Sequence, residues 1–292
     1  MSALTAVWLV WRAEMFRLFR GRAVWVSALF LVALAWLRVA AARLAERSSS
    51  MAAATRAIRD GRPIPELPGP SNAYGPFVDG WSAGLTVGAL LLLIVAARAL
   101  AGDLEGGLLR MARTRSASRG ALVWGRALLG LPLCVGVLAV TAFGAWLGAA
   151  GFFEFGPVVE DGYELASESL LREQLLLACA TTFPALLATW SLGLLVSALA
   201  PGGALAVGVS LLLYLGFDLF KQVLGEARYW VFAAFNPSFV DNSYVAEVAG
   251  MARGFSDAGF SEALLRQNLV LPWPEALLIT TLAAWVLTRR AL

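Results

Sequence analysis

Two carboxylates and five guanidiniums, Asp103, Glu105, Arg110, Arg113, Arg115, Arg119 and Arg126, fall within "DLEGGLLRMARTRSASRGALVWGR" (103–126). Groups of these types at this spacing make charge-assisted hydrogen bonds to a protein, a phosphate or a lipid headgroup. They recognise rather than break bonds. The chain has no His, which removes the commonest general base and the commonest metal ligand. G-x-x-x-x-G-K-[ST] is absent and the one lysine is Lys221, so the chain holds no P-loop with which to bind ATP itself. HExxH is absent, and the one GxSxG match, "GWSAG" (80–84), opens an apolar segment in a chain with no His to activate its serine. Cys134 and Cys179 stand in apolar runs without CxxC spacing and read as packing residues. The acidic run 154–173 lacks the Asp/Asn spacing of a calcium loop and reads as solvated surface. The sequence therefore offers no catalytic residue and no metal ligand set.

What must position these charges is a membrane bundle. The chain has 292 residues, 59% hydrophobic and 15% charged, with mean hydropathy +0.72; a soluble domain carries about 25% charged residues. Its net charge of +3, with no basic domain outside the apolar segments, excludes nucleic-acid binding. A span needs about 20 mostly apolar residues, and six segments supply them: 23–42, 81–100, 121–153, 170–199, 203–220 and 272–288. The expected fold is an all-α integral membrane protein with six transmembrane helices. Arg12, Arg17, Arg20 and Arg22 precede the first span, six arginines lie in 98–126, and the chain ends "TRRAL". The alternate connections are acidic (154–173) or mixed (45–80 and 221–271). Basic residues mark the cytoplasmic side, so both termini and 98–126 are expected there, with the charge-free turn "APGG" (200–203). Arg38 and Arg98 sit near span ends, where they can snorkel. Asp218 closes the fifth span beside Lys221, and no acid stands mid-span to relay protons.

The first 22 residues form a separate unit. Leu4, Val7, Trp8, Trp11, Met15, Leu18 and Phe19 recur at helical spacing, with Arg12, Arg17 and Arg20 mostly elsewhere, the pattern of an amphipathic helix lying in the bilayer interface. Residues 23–292 make the six-span domain, with a cytoplasmic loop at 103–119 and outer segments at 45–80, 154–169 and 221–271. The first part of 45–80 is a candidate short helix, and its Pro-rich part reads as an extended loop. In the loop, a short helix is expected from Asp103, as its N-terminal cap, to Met111. Ser116 and Ser118 can cap the next helix, and Arg110, Arg113, Arg115 and Arg119 are expected to face water or anionic headgroups. The segment 221–271 is too long for a plain connection, and "DNSYVAEVAGMARGF" and "FSEALLRQNLVL" read as short helices on the outer face.

The loop resembles that of type-2 ABC exporter permeases, which reads approximately E-x-E-x-G-T-L-x-x-L-L-x-x-P-x-S-R-x-x-x-L-x-G-K. Asp103 and Glu105 match its acidic pair, Gly107 its Gly, Leu109 its Leu, Ser118 and Arg119 its S-R, and Leu122, Gly125 and Arg126 its L-x-G-K. Leu108, Ser116 and the Ala112-Arg113 pair depart from it. "RAEMFRLFRGR" (12–22) looks like the family's N-terminal K-E-L-x-x-x-L-R-x-R, with Glu14, Met15, Phe19, Arg20 and Arg22 in register. "FDLF" (217–220) and "FNPSFVD" (235–241) look like the permease of the nitrous-oxide-reductase copper-maturation system.

The resemblance implies the transmembrane subunit of an ABC transporter in a bacterial cytoplasmic (inner) membrane. It implies that 103–119 is a coupling helix seated in a cleft of a separate ATPase. The expected interface is Asp103, Leu104, Glu105, Gly107, Leu108, Leu109, Arg110, Met111, Arg115, Ser118 and Arg119, with Pro201, Gly202 and Gly203 as a second cytoplasmic contact. Trp8, Trp11, Glu14, Arg20 and Arg22 belong to the interfacial helix. Expected partners are two ATPase copies carrying ATP and Mg, a second permease copy (identical or homologous), and a periplasmic or surface partner on 221–271. The chain itself is expected to be no enzyme and to bind no cofactor. The alternative is a mechanotransmitting or assembly subunit that acts on an outer partner without moving a substrate.

Overall fold

A computed structural model of the chain describes residues 2–60, 72–106, 118–160, 163–254 and 261–290. The helices are α1 (Ala3–Arg20), α2 (Arg22–Arg59), α3 (Tyr74–Glu105), α4 (Arg119–Phe152), α5 (Glu168–Leu199) and α6 (Gly203–Phe220), then α7 (Tyr244–Ala252), α8 (Glu262–Val270) and α9 (Pro272–Arg289). Strands β1 (Val158–Glu160) and β2 (Tyr163–Ala166) pair antiparallel before α5. Two 3₁₀ segments, Lys221–Trp230 and Phe232–Ala234, follow α6. Six helical stretches are long and apolar enough to cross a membrane: α2, α3, α4, α5, α6 with the turn after it, and α8 with α9. The chain is a helical, multi-pass membrane protein.

The helices begin where the sequence supplies caps. Ser118, Ser167 and Ser261 each accept a hydrogen bond from the backbone N–H three residues on, at the starts of α4, α5 and α8. α3 and α5 form the axis: 50% and 61% of their apolar windows are buried within the chain, against 17–28% for the other spans. Between apolar helices surrounded by lipid, close backbone approach rather than hydrophobicity drives association. A Cβ on Gly193 of α5 would lie 2.6 Å from Ala96 Cβ of α3, and one on Gly144 of α4 would lie 2.5 Å from the Val32 carbonyl of α2. Trp190 of α5 lies over Gly130 of α4 and donates its ring N–H to the Arg126 carbonyl at 3.0 Å.

Three features differ from the sequence reading. α2 does not stop near residue 42 but runs unbroken to Arg59, about 57 Å at 1.5 Å per residue, so it outruns a hydrocarbon layer of about 30 Å. Its polar half contains no breaker, and Ser48, Ser49 and Ser50 each bond back to the carbonyl three residues earlier. The β1–β2 hairpin occupies the acidic segment that was read as plain surface. Finally, Asp103 does not start a helix; α3 runs through it to Glu105, with Gly106 as its C-cap. The short helices expected in 221–271 are present as α7 and α8.

Candidate functional site

Alternating spans bring one set of helix ends together with α1, and this is the arginine-rich end. Its centre is an ion cluster built from three distant parts of the sequence. Arg126 stands two turns inside α4 and is only 4% exposed. Its Nη2 reaches Glu14 Oε1 of α1 at 2.7 Å and its Nε reaches the same oxygen at 3.0 Å. Nη2 also donates to Asp103 Oδ2 of α3. Arg17, one turn beyond Glu14, lies 3.6 Å from both Glu14 and Asp103 but is 65% exposed. Two carboxylates and two guanidiniums make the cluster neutral, so it avoids the cost of an isolated charge away from water. Gly125 makes room for it: a Cβ there would lie 2.6 Å from Val10 Cγ1 and 3.0 Å from the Val7 carbonyl of α1.

Hydrogen bonds extend the connection to the remaining ends. Glu105 Oε2 accepts the Gly203 N–H at 3.1 Å, fastening α3 to the first residue of α6. Arg119, the first residue of α4, donates to the carbonyls of Leu287, Thr288 and Arg290 at the close of α9. Arg290 in turn donates to the carbonyls of Ala198 and Ala200 at the end of α5, at 2.9 and 2.8 Å. Cations at helix C-termini satisfy orphan carbonyls and oppose the helix dipole. Ser197 of α5 accepts the N–H groups of Leu100 and Ala101 of α3 at 2.9 and 2.8 Å. α1, α3, α4, α5, α6 and α9 are thus joined by polar contacts at the two edges of the 107–117 connection.

The sequence-expected residues divide accordingly. Gly107, Leu108, Leu109, Arg110, Met111 and Arg115 lie outside the described residues, as do Arg113 and Ser116. Leu104 is half-buried, and Glu105 is exposed while holding Gly203. Ser118 caps α4 through Ala121 as expected. Arg119 corrects the reading: it does not point to water or headgroups but closes α9. Pro201 is exposed, whereas Gly202 and Gly203 pack against Glu105, so the turn and the end of α3 form one surface.

In α1, the apolar stripe divides in two. Trp11, Met15 and Leu18 pack on the core, while Leu4, Trp8, Phe16 and Phe19 stay exposed, with Arg12 over the Trp8 and Phe16 rings. Arg20 and Arg22 are exposed. Arg126 was not among the expected site residues; the signal that marks it is an arginine inside an apolar span, which needs a partner. No family model matches this chain, and no curated protein matches it either.

Proposed function

We propose that the chain is the transmembrane permease subunit of an ABC transporter, lying in a bacterial inner membrane with the arginine-rich end in the cytoplasm. A separate ATPase carries ATP and Mg and engages 103–119, with the 201–203 turn beside it. Its closure moves the spans to export a substrate. The observation that carries this reading is the set of contacts flanking 107–117. Asp103 and Glu105 on one edge and Arg119 on the other connect directly to α1, α4, α6 and α9. A force applied to this connection reaches five spans and α1 without crossing the apolar core. The exposed aromatics of α1 suit a helix lying in the interface, where it would ride with α4 through the ion cluster.

The test is copurification followed by flux. Tagged chain should bring down an ATPase, and charge reversal at Arg110 and Arg115 should abolish ATP-driven flux in proteoliposomes while the chain still folds. Arg43→Gln, which breaks an ion pair with Glu46 within α2, is the structural control. If no ATPase copurifies and the reversals leave function intact, the coupling reading is wrong. A second reading shares the same subunits: a mechanotransmitter acting on a partner at the 221–271 end. The built-up layer of 3₁₀ segments, α7 and α8 there favours it, and ATPase activity without flux would select it.

A further inference from the structure

The buried face of α6 changes character along its length. Gly203 and Ala206 are followed by Ser210, Tyr214 and Asp218 at four-residue spacing, then by Lys221 just past the helix, and all are buried. Ser210 is about 10 Å from the start of α6 and about 15 Å from its end at 1.5 Å per residue, so the stripe reaches the middle of a span. Lys221, fully buried, pairs with Asp218 at 2.8 Å and donates to Ser238 Oγ at 2.9 Å. Asp218 also accepts the Phe239 N–H at 3.2 Å. Asn236, fully buried, donates to Thr189 Oγ1 at 2.6 Å and to the Ala185 carbonyl of α5.

Several groups at this place are left without partners among the described residues. Ser210 Oγ, Tyr214 Oη and Asn236 Oδ1 are buried and unbonded, while Ser243 Oγ lies beside the Asp241 carboxylate. Tyr214 approaches Asn236 without closing a hydrogen bond and stands within electrostatic reach of Asp218 and Asp241. A buried polar group left unsatisfied is destabilising, and three at one place mark a site that takes small hydrogen-bonding guests. At its rim, Asp241 and Ser82 of α3 are partly exposed. Asp241 accepts from Ser82 Oγ at 3.0 Å and from the Ser243 N–H at 2.8 Å, and it has no ion-pair partner among the described residues.

We propose that the inward face of α6 lines a hydrated pocket that binds one proton, at Asp241, beside a fixed Asp218–Lys221 pair. The charge balance is the reason. Asp218 and Lys221 neutralise each other, so the Asp241 carboxylate leaves the pocket one negative charge in excess, and a proton removes it. The groups facing Asp241 are Ser82 from α3, Tyr214 and the Asp218–Lys221 pair from α6 and its end, and Ser243 from its own loop. Burial pushes the Asp241 carboxyl above its ordinary range, against the hydrogen bonds of Ser243 and Ser82 and the charge of Lys221. Water in the pocket would satisfy Ser210 and Tyr214, and the proton reaches Asp241 from the rim.

The test uses the full chain in lipid nanodiscs. Hydroxyl radicals generated from water by X-rays oxidise side chains that touch water. Tyr214 should be oxidised within about tenfold of exposed Tyr163, while buried Trp190, with its ring N–H bonded, stays unmodified. Infrared titration should show a protonated-carboxyl band that is lost as pH rises and is absent in Asp241→Asn. Ser82→Ala, which removes a bond to the carboxylate, should move the titration to higher pH and stands in if Asp241→Asn does not fold. Tyr214 as silent as Trp190 would remove the water. A titration unchanged in both variants would remove the proton from Asp241.

Discussion

Replacing Arg126 by Gln tests whether the ion cluster holds the arginine-rich end together. Arg126 is 4% exposed and engages Glu14 and Asp103, which belong to two other helices and keep side-chain exposures of 16% and 11%. Removing one partner of a buried pair leaves uncompensated charge and costs about 3–5 kcal/mol. Arg17 remains 3.6 Å from both carboxylates but is 65% exposed, and such pairs are worth up to about 1 kcal/mol. The expected loss is therefore about 2–4 kcal/mol, or roughly 30- to 700-fold in the unfolding equilibrium at about 1.4 kcal/mol per tenfold. The assay is denaturant titration in detergent, read by a thiol-reactive dye on Cys134, which is fully buried, in a Cys179→Ala background. Arg43→Gln, which breaks the more exposed pair with Glu46 at 3.1 Å, is the control and should cost no more than about 1 kcal/mol. Arg126→Met with Glu14→Gln and Asp103→Asn should recover much of the loss, because nothing charged is then left buried and unpaired. If Arg126→Gln is no worse than the control, the cluster does not fasten α1 and α3 to α4.

Gly125→Val should separate α1 from α4 without touching a charge, because its Cβ would meet Val10 and the Val7 carbonyl; hydrogen exchange in α1 should rise while Cys134 stays protected. Gly144→Leu, facing the Val32 backbone at 2.5 Å, should destabilise the α2–α4 contact by about 1–3 kcal/mol or more by the same dye assay. Ser118→Ala removes the cap of α4 and should cost about 1 kcal/mol. The folded-state carboxyl of Asp241 lies above its unfolded value through burial, so its contribution to stability is complete below the unfolded value and is lost as pH rises through the folded one. Melting temperature against pH should fall less on that alkaline limb in Asp241→Asn than in the parent chain.

The spans were legible because their signal is local: about twenty apolar residues, with Ser118 in position to cap α4. The helix over the first part of 45–80 was legible, but its continuity with the first span was not, because 43–59 is too polar to read as a span; its three serines bond back to the preceding turn. The β1–β2 pair carries its own signal, Asp-Gly at 161–162 between "VVE" and "YELA", within a segment whose acidic composition marks it only as solvated surface. Asp103 and Glu14 were legible as site residues, but their partner was not. Glu14 and Arg126 are 112 residues apart, and no local pattern pairs them. Arg119 shows the reverse case. A water-facing role is a fair reading of any loop arginine, until the carbonyls closing α9 arrive from 168 to 171 residues away.

The positions of the polar contacts bear on how such a bundle could move. Along their lengths, α2–α5 touch by close backbone approach at Gly80, Gly144 and Gly193, with isolated buried hydrogen bonds such as Thr280 to Ser191 crossing the interior. At the arginine-rich end the joints are ionic and directional, and α1 is tied in by Glu14. At the other end, Arg253 of the α7 turn bonds Asp79 of α3, Tyr244 bonds Gln174 of α5, and Glu275 of α9 accepts the Phe232 N–H. Ionic ends and few interior hydrogen bonds let helices tilt as rigid rods while their end connections persist. A push at 107–117 then changes helix angles first, and the place where changed angles open space is between α3, α5 and α6, where the polar stripe of α6 lies. If cross-linking the arginine-rich end through Glu14→Cys and Arg126→Cys leaves oxidation of Tyr214 independent of the nucleotide state of the proposed ATPase partner, and the unlinked chain shows a dependence, the two ends communicate through this joint. Equal dependence in both forms would place the lever elsewhere.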